Sequence, residues 1–399
     1  MAVTLAATAL KLWLAFTTYG SSDVWYWEVY LATTRDVGAL QLYHTDEHFN
    51  HPPFTTHALL ALGAAAGATG IHFPFWLRLP AIVADVVTVA LVALLVTRRS
   101  PWGPAGLAGR TGPLALALLA GAPALVMISG YHGNTDPVVM CFVLLAIVLW
   151  ELRRSALAGA ALSGAAFGMA LNVKAIPLIF LPAFCLYVSG WWRFVFIACA
   201  ALAVLAGSLP YVFQDPLIIA QKVLGYGSYY GHWGLSRVLS DLAPSGGLAA
   251  QLDALLRAFG RVLALGVPAL AAVLMNAPHL LTRLARPSLY VQCGVAAALF
   301  LALTPGFGVQ YVAWLVPWVP AAGAAVAAAF YATTGLFLFL VYDYWSAQFP
   351  WHTADARPYE VDWWPRAVVN VELVAWAATL LVAGALIGLA TSALRRPVR

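Results

Sequence analysis

The chain has 399 residues, of which 62% are hydrophobic and 9% charged, with a formal net charge of +5. A soluble domain carries roughly a quarter charged residues, so this composition excludes one and points to an integral membrane protein. The arginines are scattered through short loops instead of gathering on one face, which argues against nucleic acid as a partner.

Apolar runs of about 17 to 25 residues, long enough to cross roughly 30 Å of hydrocarbon, recur from end to end. They predict one all-α polytopic domain over residues 1–399. About twelve transmembrane helices are expected, roughly at 2–19, 72–97, 113–129, 138–152, 156–172, 175–189, 193–211, 260–281, 288–304, 309–326, 327–345 and 367–391. The first run lacks a basic n-region and a cleavage site and reads as a retained span. Lys11 in its middle is expected to snorkel toward one face. Cys141, Cys185, Cys199 and Cys293 lie in apolar runs without ligand spacing and read as core residues, not as a disulfide or a zinc site.

With the amino terminus inside, alternate short loops collect Arg98, Arg99, Arg110, Arg153, Arg154, Arg193, Arg283 and Arg286, and the tail adds Arg395, Arg396 and Arg399. The positive-inside rule then puts both termini in the cytoplasm. The long segments 20–56, 212–258 and 346–366 become extracytoplasmic loops, and nearly all acids and histidines fall on their side, including His352, Asp355, Glu360 and Asp362. Chemistry is therefore expected on the extracytoplasmic face. Compact loops and alanine-rich spans suggest a bacterial plasma membrane.

In "SSDVWYWEVY" (21–30), Asp23 suits a helix cap and equally a general base. Glu28, five residues on, would point about 140° away on a helix and is expected to be solvated. Trp25, Tyr26 and Trp27 fit an interfacial aromatic belt first and a sugar platform second. "HTDEHFNH" (44–51) offers Asp46, Glu47, His48 and His51 as oxygen and nitrogen ligands for a divalent metal, but the double proline after His51 argues for an irregular solvated loop, which is the favoured reading, and no metal is required. In "GNTDP", Asp136 before Pro137 has the form of a helix start, while His132 and Asn134 of the same turn can face a cavity. Lys174 emerges from its span on the outer face, where an ammonium wants an anion. Arg237 can grip a phosphate in bidentate fashion, and His232 or Trp233 beside it can contact a sugar. Gln310 and Tyr311 follow "PGFG", where glycine permits close backbone approach.

The order of these motifs resembles the GT-C superfamily of multi-span glycosyltransferases. The resemblance runs through the first-loop acid Asp23, Gly38, Tyr43 and His51-Pro52-Pro53, then "GYHGNTDP" (130–137) and "LNVKAIPLIFLP" (171–182). It continues in "YYGHWGLSRVL" (229–239) and "TPGFGVQYVAWLVP" (304–317), with histidine at position 51 where tyrosine is commoner. It implies a GT-C-like bundle that takes a hexose, mannose or glucose by default, from a polyprenyl-phosphate donor and passes it with inversion to a hydroxyl of a lipid, glycan or protein acceptor. Asp23 would be the catalytic base. Lys174 and Arg237 would meet the leaving phosphate, and His51, His132, Asn134, His232, Trp233, Gln310 and Tyr311 would line the substrate site. The rival reading is a transporter or flippase, for which Asp85, Glu372 and Lys11 inside the spans would matter more.

Overall fold

The computed structural model describes residues 1–97, 112–225, 227–282, 285–346 and 364–395. The chain opens with α1 (Ala2–Thr17), α2 (Ser22–Val37), α3 (Ala39–Thr45), α4 (Phe54–Thr69) and α5 (Phe73–Thr97). α6 (Pro113–Ala120) and α7 (Pro123–Met127) run on into a π-helical turn, Ile128–His132. α8 (Asp136–Glu151), α9 (Ala156–Val173), a 3-10 turn at Ile176–Phe180, α10 (Leu181–Tyr187), α11 (Trp192–Val212) and α12 (Pro216–Gly225) follow. A two-residue strand β1 (Tyr229–Tyr230) leads to α13 (Gly234–Leu242), α14 (Gly247–Thr282) and α15 (Leu289–Leu303). β2 (Gly306–Phe307) precedes the short helices from Val309 to Ala322, with α16 (Val312–Leu315) among them, then α17 (Ala324–Trp345) and α18 (Arg366–Leu394).

Among the described residues seven helices are long and apolar enough to cross a membrane: α5, the α6–α7 run to His132, α9, α11, α14, α17 and α18. They overlap seven of the expected spans, although α14 starts at Gly247, inside the segment 212–258 expected to be a loop, and not at 260. The other five expected spans take a different form. α1 and α8 have 16 residues each, about 24 Å at the helical rise. Pro177 and Pro182 break the run at 175–189, and Pro317 and Pro320 break the one at 309–326 into short turns. α15 is buried on nearly every side. Its apolar residues face protein, as expected for a helix that is hydrophobic all round.

α9 packs against α8 and α11, and α15 against α14 and α18. Gly164 and Gly168, spaced as GxxxG, bring α9 onto α11 so closely that a Cβ on either would collide with the Phe196 or Ala200 carbonyl. α1 and α2 meet at a 62° bend. α2 carries Asp23, Glu28, Arg35 and Asp36. Lys11 does not snorkel: it is buried and forms an ion pair with Asp85 of α5, whose carboxylate also accepts from Ser129 Oγ at 2.6 Å.

The two ends of the bundle differ in charge. At one end of α8, Asp136 meets Lys174 at the end of α9; at the other, Glu151 accepts from the Leu289 amide, with Arg153 over Trp150 and Arg286 over Tyr187. Arg98, Arg99, Arg110, Arg283, Arg396 and Arg399, and His352, Asp355, Glu360 and Asp362 of the last long loop, lie outside the described residues.

Candidate active site

A cavity of about 140 Å³ opens at the Asp136 end of the bundle. Its walls come from the start of α2, the loop 46–53, the π turn, the end of α9, the paired strands and the facing ends of α17 and α18.

The wall that holds Asp23 begins where α1 stops at Thr17. Gly20 turns the chain with φ 108°, and a Cβ there would press on the Tyr131 carbonyl. Ser21 then caps α2, its hydroxyl accepting from the Asp23 amide and donating to the His132 carbonyl at 2.7 Å. The cap is therefore Ser21, which leaves the Asp23 carboxylate in the first turn free to face the cavity. Opposite, the π turn ends in His132, a form of helix frequent at functional sites.

Asp23 Oδ2 accepts from Asn134 Nδ2 at 2.9 Å, and His132 Nε2 lies 3.1 Å from the same oxygen, off the line of a hydrogen bond. Neither ring nitrogen of His132 has a hydrogen-bond partner among the described residues, although the side chain is 1% exposed. Asp23 keeps 27% of its side chain open. Burial alone would raise its carboxyl; the charge and contact of His132, the Asn134 bond and the charge of Lys174 outweigh it and hold the group below the ordinary carboxylate value. Asp23 is thus an ionised acceptor with a face toward open space.

Lys174 lines the cavity and already has an anion. Its ammonium is 3.0 and 3.2 Å from the two oxygens of Asp136, which is fully buried and also accepts from Trp314 Nε1. The expected cap role of Asp136 gives way to this pairing; Thr135 holds the cap position. Tyr311 stacks on Trp314 with ring centroids 3.8 Å apart, and both rings stand 5.6 Å from the ammonium. The ammonium is aimed, and 12% of the side chain stays open.

β1 and β2 pair antiparallel, Tyr229 opposite Phe307 and Tyr230 opposite Gly306, which joins the two motifs far apart in sequence into one wall. Gln310, Tyr311 and His232 all face the cavity from this side. Burial, then the charge of Arg237, lowers the affinity of His232 for a proton. On the other wall His51 packs on Trp27 at 4.6 Å between ring centroids, with Nδ1 3.5 Å from the Val173 carbonyl. Burial first, and Lys174 second, push its pKa down to about 3, so it is a neutral group. Tyr26 and Trp27 line the cavity, whereas Trp25 is 44% exposed, as a belt residue would be. Glu28 is not simply solvated: it accepts from Tyr19 Oη at 2.6 Å.

Two expected site residues lie elsewhere. Arg237 is buried behind the wall, donating to the Gly231 carbonyl at 3.2 Å and pairing with Asp241 one turn on, and it does not line the cavity. Trp233 is fully buried, donates to the Leu301 carbonyl at 2.8 Å and stacks on Phe307 at 4.3 Å. Of the candidate metal ligands, Asp46 turns its carboxylate onto the amides of His48 and Phe49, at 2.8 and 2.9 Å. Among the described residues no three His, Cys, Asp or Glu side chains converge to hold a metal. Glu47 stays exposed, and His48 stands at the cavity rim against Tyr26.

Sequence reasoning missed Trp314, Trp345, Trp364 and, behind the site, Arg78. Trp345 and Trp364 complete the lining from the ends of α17 and α18. Arg78 left one signal, a charged residue within an apolar run.

No family model and no curated protein matches the sequence. Among solved structures the chain is similar to the crystal structure of ArnT from Cupriavidus metallidurans bound to undecaprenyl phosphate, at 14% identity and a TM-score of 0.48, over 98% of this chain and 76% of that one. The chemistry of the site rests on its own residues.

Proposed function

We propose that the protein transfers a hexose, mannose or glucose, from a polyprenyl-phosphate donor to a hydroxyl of a lipid, glycan or protein acceptor, with inversion at the anomeric carbon. The observation that carries this reading is the polarity of the cavity: an ionised, partly open carboxylate on one wall and an aimed ammonium on another, close enough for the lysine charge to act on the acid. The order of motifs shared with the GT-C superfamily supports it.

In this scheme Asp23 takes the acceptor proton as the new carbon–oxygen bond forms. Asn134 and His132 hold the carboxylate so that its second oxygen meets the hydroxyl. The bond from the anomeric carbon to the phosphate oxygen breaks at the same time, and the phosphate leaves with the electron pair. Lys174 offsets the charge that grows there. Part of its charge is spent on Asp136, which suits it to a single phosphate. Arg237, placed behind the wall, is not the second phosphate ligand. Phosphate leaves without a proton, so the scheme needs neither a general acid nor a metal. Gln310, Tyr311, His51 and His232 supply neutral contacts to the sugar.

The cavity end is the acid-rich end, and Arg153 and Arg286 cluster at the other, which supports an extracytoplasmic site and cytoplasmic termini. Of the residues the transport reading would use, Lys11 and Asp85 are paired with each other, and Glu372 accepts from the Gly234 amide at 2.7 Å through one carboxylate oxygen, while its other oxygen has no hydrogen-bond partner among the described residues.

The test is sugar transfer in membranes holding the protein, supplied with labelled polyprenyl-phosphate mannose or glucose and a lipid extract. Product is expected with the native chain and not with Asp23→Asn. Full activity in Asp23→Asn removes Asp23 from the mechanism, and donor that crosses the bilayer unchanged favours a flippase.

A further inference from the structure

Arg78 is fully buried in α5, and every hydrogen bond it makes goes to a backbone carbonyl or a hydroxyl. Nη2 donates to the carbonyls of Thr18 and Tyr19 at 2.7 and 2.8 Å. Nη1 donates to Thr18 Oγ1 at 3.0 Å and to the Gly130 carbonyl at 2.9 Å, with longer contacts of 3.4 Å to Leu14 and Tyr131. Nε donates to the Pro74 carbonyl of its own helix at 2.9 Å.

Apart from Pro74, these acceptors belong to two segments. Leu14, Thr18 and Tyr19 close α1, where carbonyls lose their intrahelical partners. Gly130 and Tyr131 belong to the π turn. The first segment runs directly into Ser21 and Asp23, the second into His132 and Asn134. One planar cation therefore ties together the two backbones whose next residues make the Asp23–Asn134 contact. An ammonium has three donors on one atom and does not reproduce that fork.

We infer that Arg78 is a positioning residue for Asp23: it holds the break between α1 and α2 against the π turn and so sets the carboxylate against His132 and Asn134. The catalytic consequence rests on the transfer reading above; the positioning itself does not. A displacement of about 1 Å at a reacting group can cost roughly 100-fold in rate, so a loss of that order is expected in turnover, with little change in the donor KM.

The experiment uses the full chain in detergent and compares the native protein with Arg78→Lys and with the milder Thr18→Val, which removes the one hydroxyl acceptor. Asp23 is labelled with a carbodiimide, which takes the protonated carboxyl, across a pH series, and the site is read by peptide mass spectrometry. The titratable groups facing Asp23 are His132 on the π turn, Lys174 at the end of α9, Tyr26 on α2, Tyr229 on β1 and His51 before α4. In the native chain His132, Asn134 and Lys174 hold the labelling midpoint low. In Arg78→Lys it is expected to rise, in Thr18→Val to rise less, and kcat is expected to fall in the same order.

A midpoint unmoved in a folded Arg78→Lys overturns the inference; a raised midpoint with unaltered kcat supports the positioning and overturns its catalytic consequence. A raised midpoint in a chain whose native form transfers no sugar supports the positioning and removes the transfer reading instead.

Discussion

Among the described residues two lysine–aspartate pairs join helices, and they are chemically alike. Lys11–Asp85 ties α1 to α5, Lys174–Asp136 ties the end of α9 to the start of α8, and each aspartate is sealed from solvent. The difference lies around the lysine. Lys11 has 4% of its side chain exposed and does not line the cavity that Lys174 faces, and Ser129 supplies a further hydrogen bond to Asp85. Lys174 has 12% exposed and faces the cavity, flanked by Tyr311 and Trp314. One pair is closed and serves packing; the other is open on one side and can meet a ligand.

The closed pair should show the larger effect on stability. Lys11→Met strands a buried carboxylate and is expected to cost about 3–5 kcal/mol. Lys11→Met combined with Asp85→Leu should recover most of that loss, since an apolar pair of similar volume replaces a buried ion pair at little cost. Thermal denaturation in detergent measures both, and the double variant should keep its transfer activity. Activity lost in a stable double variant would break the comparison and bring Lys11 back into the function.

The open pair is the counterpart. Lys174→Met with Asp136→Leu should likewise fold, yet transfer should fall about 100- to 1,000-fold, because nothing then offsets the charge on the departing phosphate. Single-turnover rates with polyprenyl-phosphate sugar read this directly. A stable double variant with native rates would place the two pairs in the same structural class.

The sequence carried one half of such distinctions. Length and hydropathy locate the seven long spans, but an apolar window does not say whether its surroundings are lipid or protein. α15 and the proline-broken run at 309–326 are apolar because they are packed among other helices. The site was partly legible for a related reason. Asp23, His132, Asn134 and Lys174 sit in motifs that punctuate spans at one end of the bundle, and the fold gathers them. His232 and Trp233 are adjacent in sequence yet part company, one lining the cavity and the other stacked on Phe307, because neighbouring side chains leave the backbone in different directions. Arg237 goes behind the wall with Trp233. Arg78 showed in the sequence only as a charge within an apolar run; its partners were beyond reach, because they are carbonyls and one hydroxyl, and backbone oxygens leave no trace in a sequence.

The smallest expected effect concerns the neutral histidines on the cavity wall, where burial acts on a base instead of an ion pair. His51 in the folded chain takes its proton only near pH 3, whereas the unfolded chain takes it near about 6.5. Between those values the unfolded state binds more protons, so stability falls as pH falls, by up to about 1.4 kcal/mol per unit from this one residue. His232 is shifted the same way and adds to the slope. Asp23 contributes in a lower window, since its folded value is depressed and its share is lost only below the ordinary carboxylate range. Melting temperatures from pH 7 to 5 should therefore drop in the native protein and drop less in His51→Phe, which keeps an aromatic ring against Trp27 and Phe49. Transfer per folded molecule should stay level over that range, because Asp23 remains ionised. An unchanged slope in His51→Phe would mean that the histidine is hydrated in the folded protein, and the cavity wall at Trp27 would then be wetter than its packing implies.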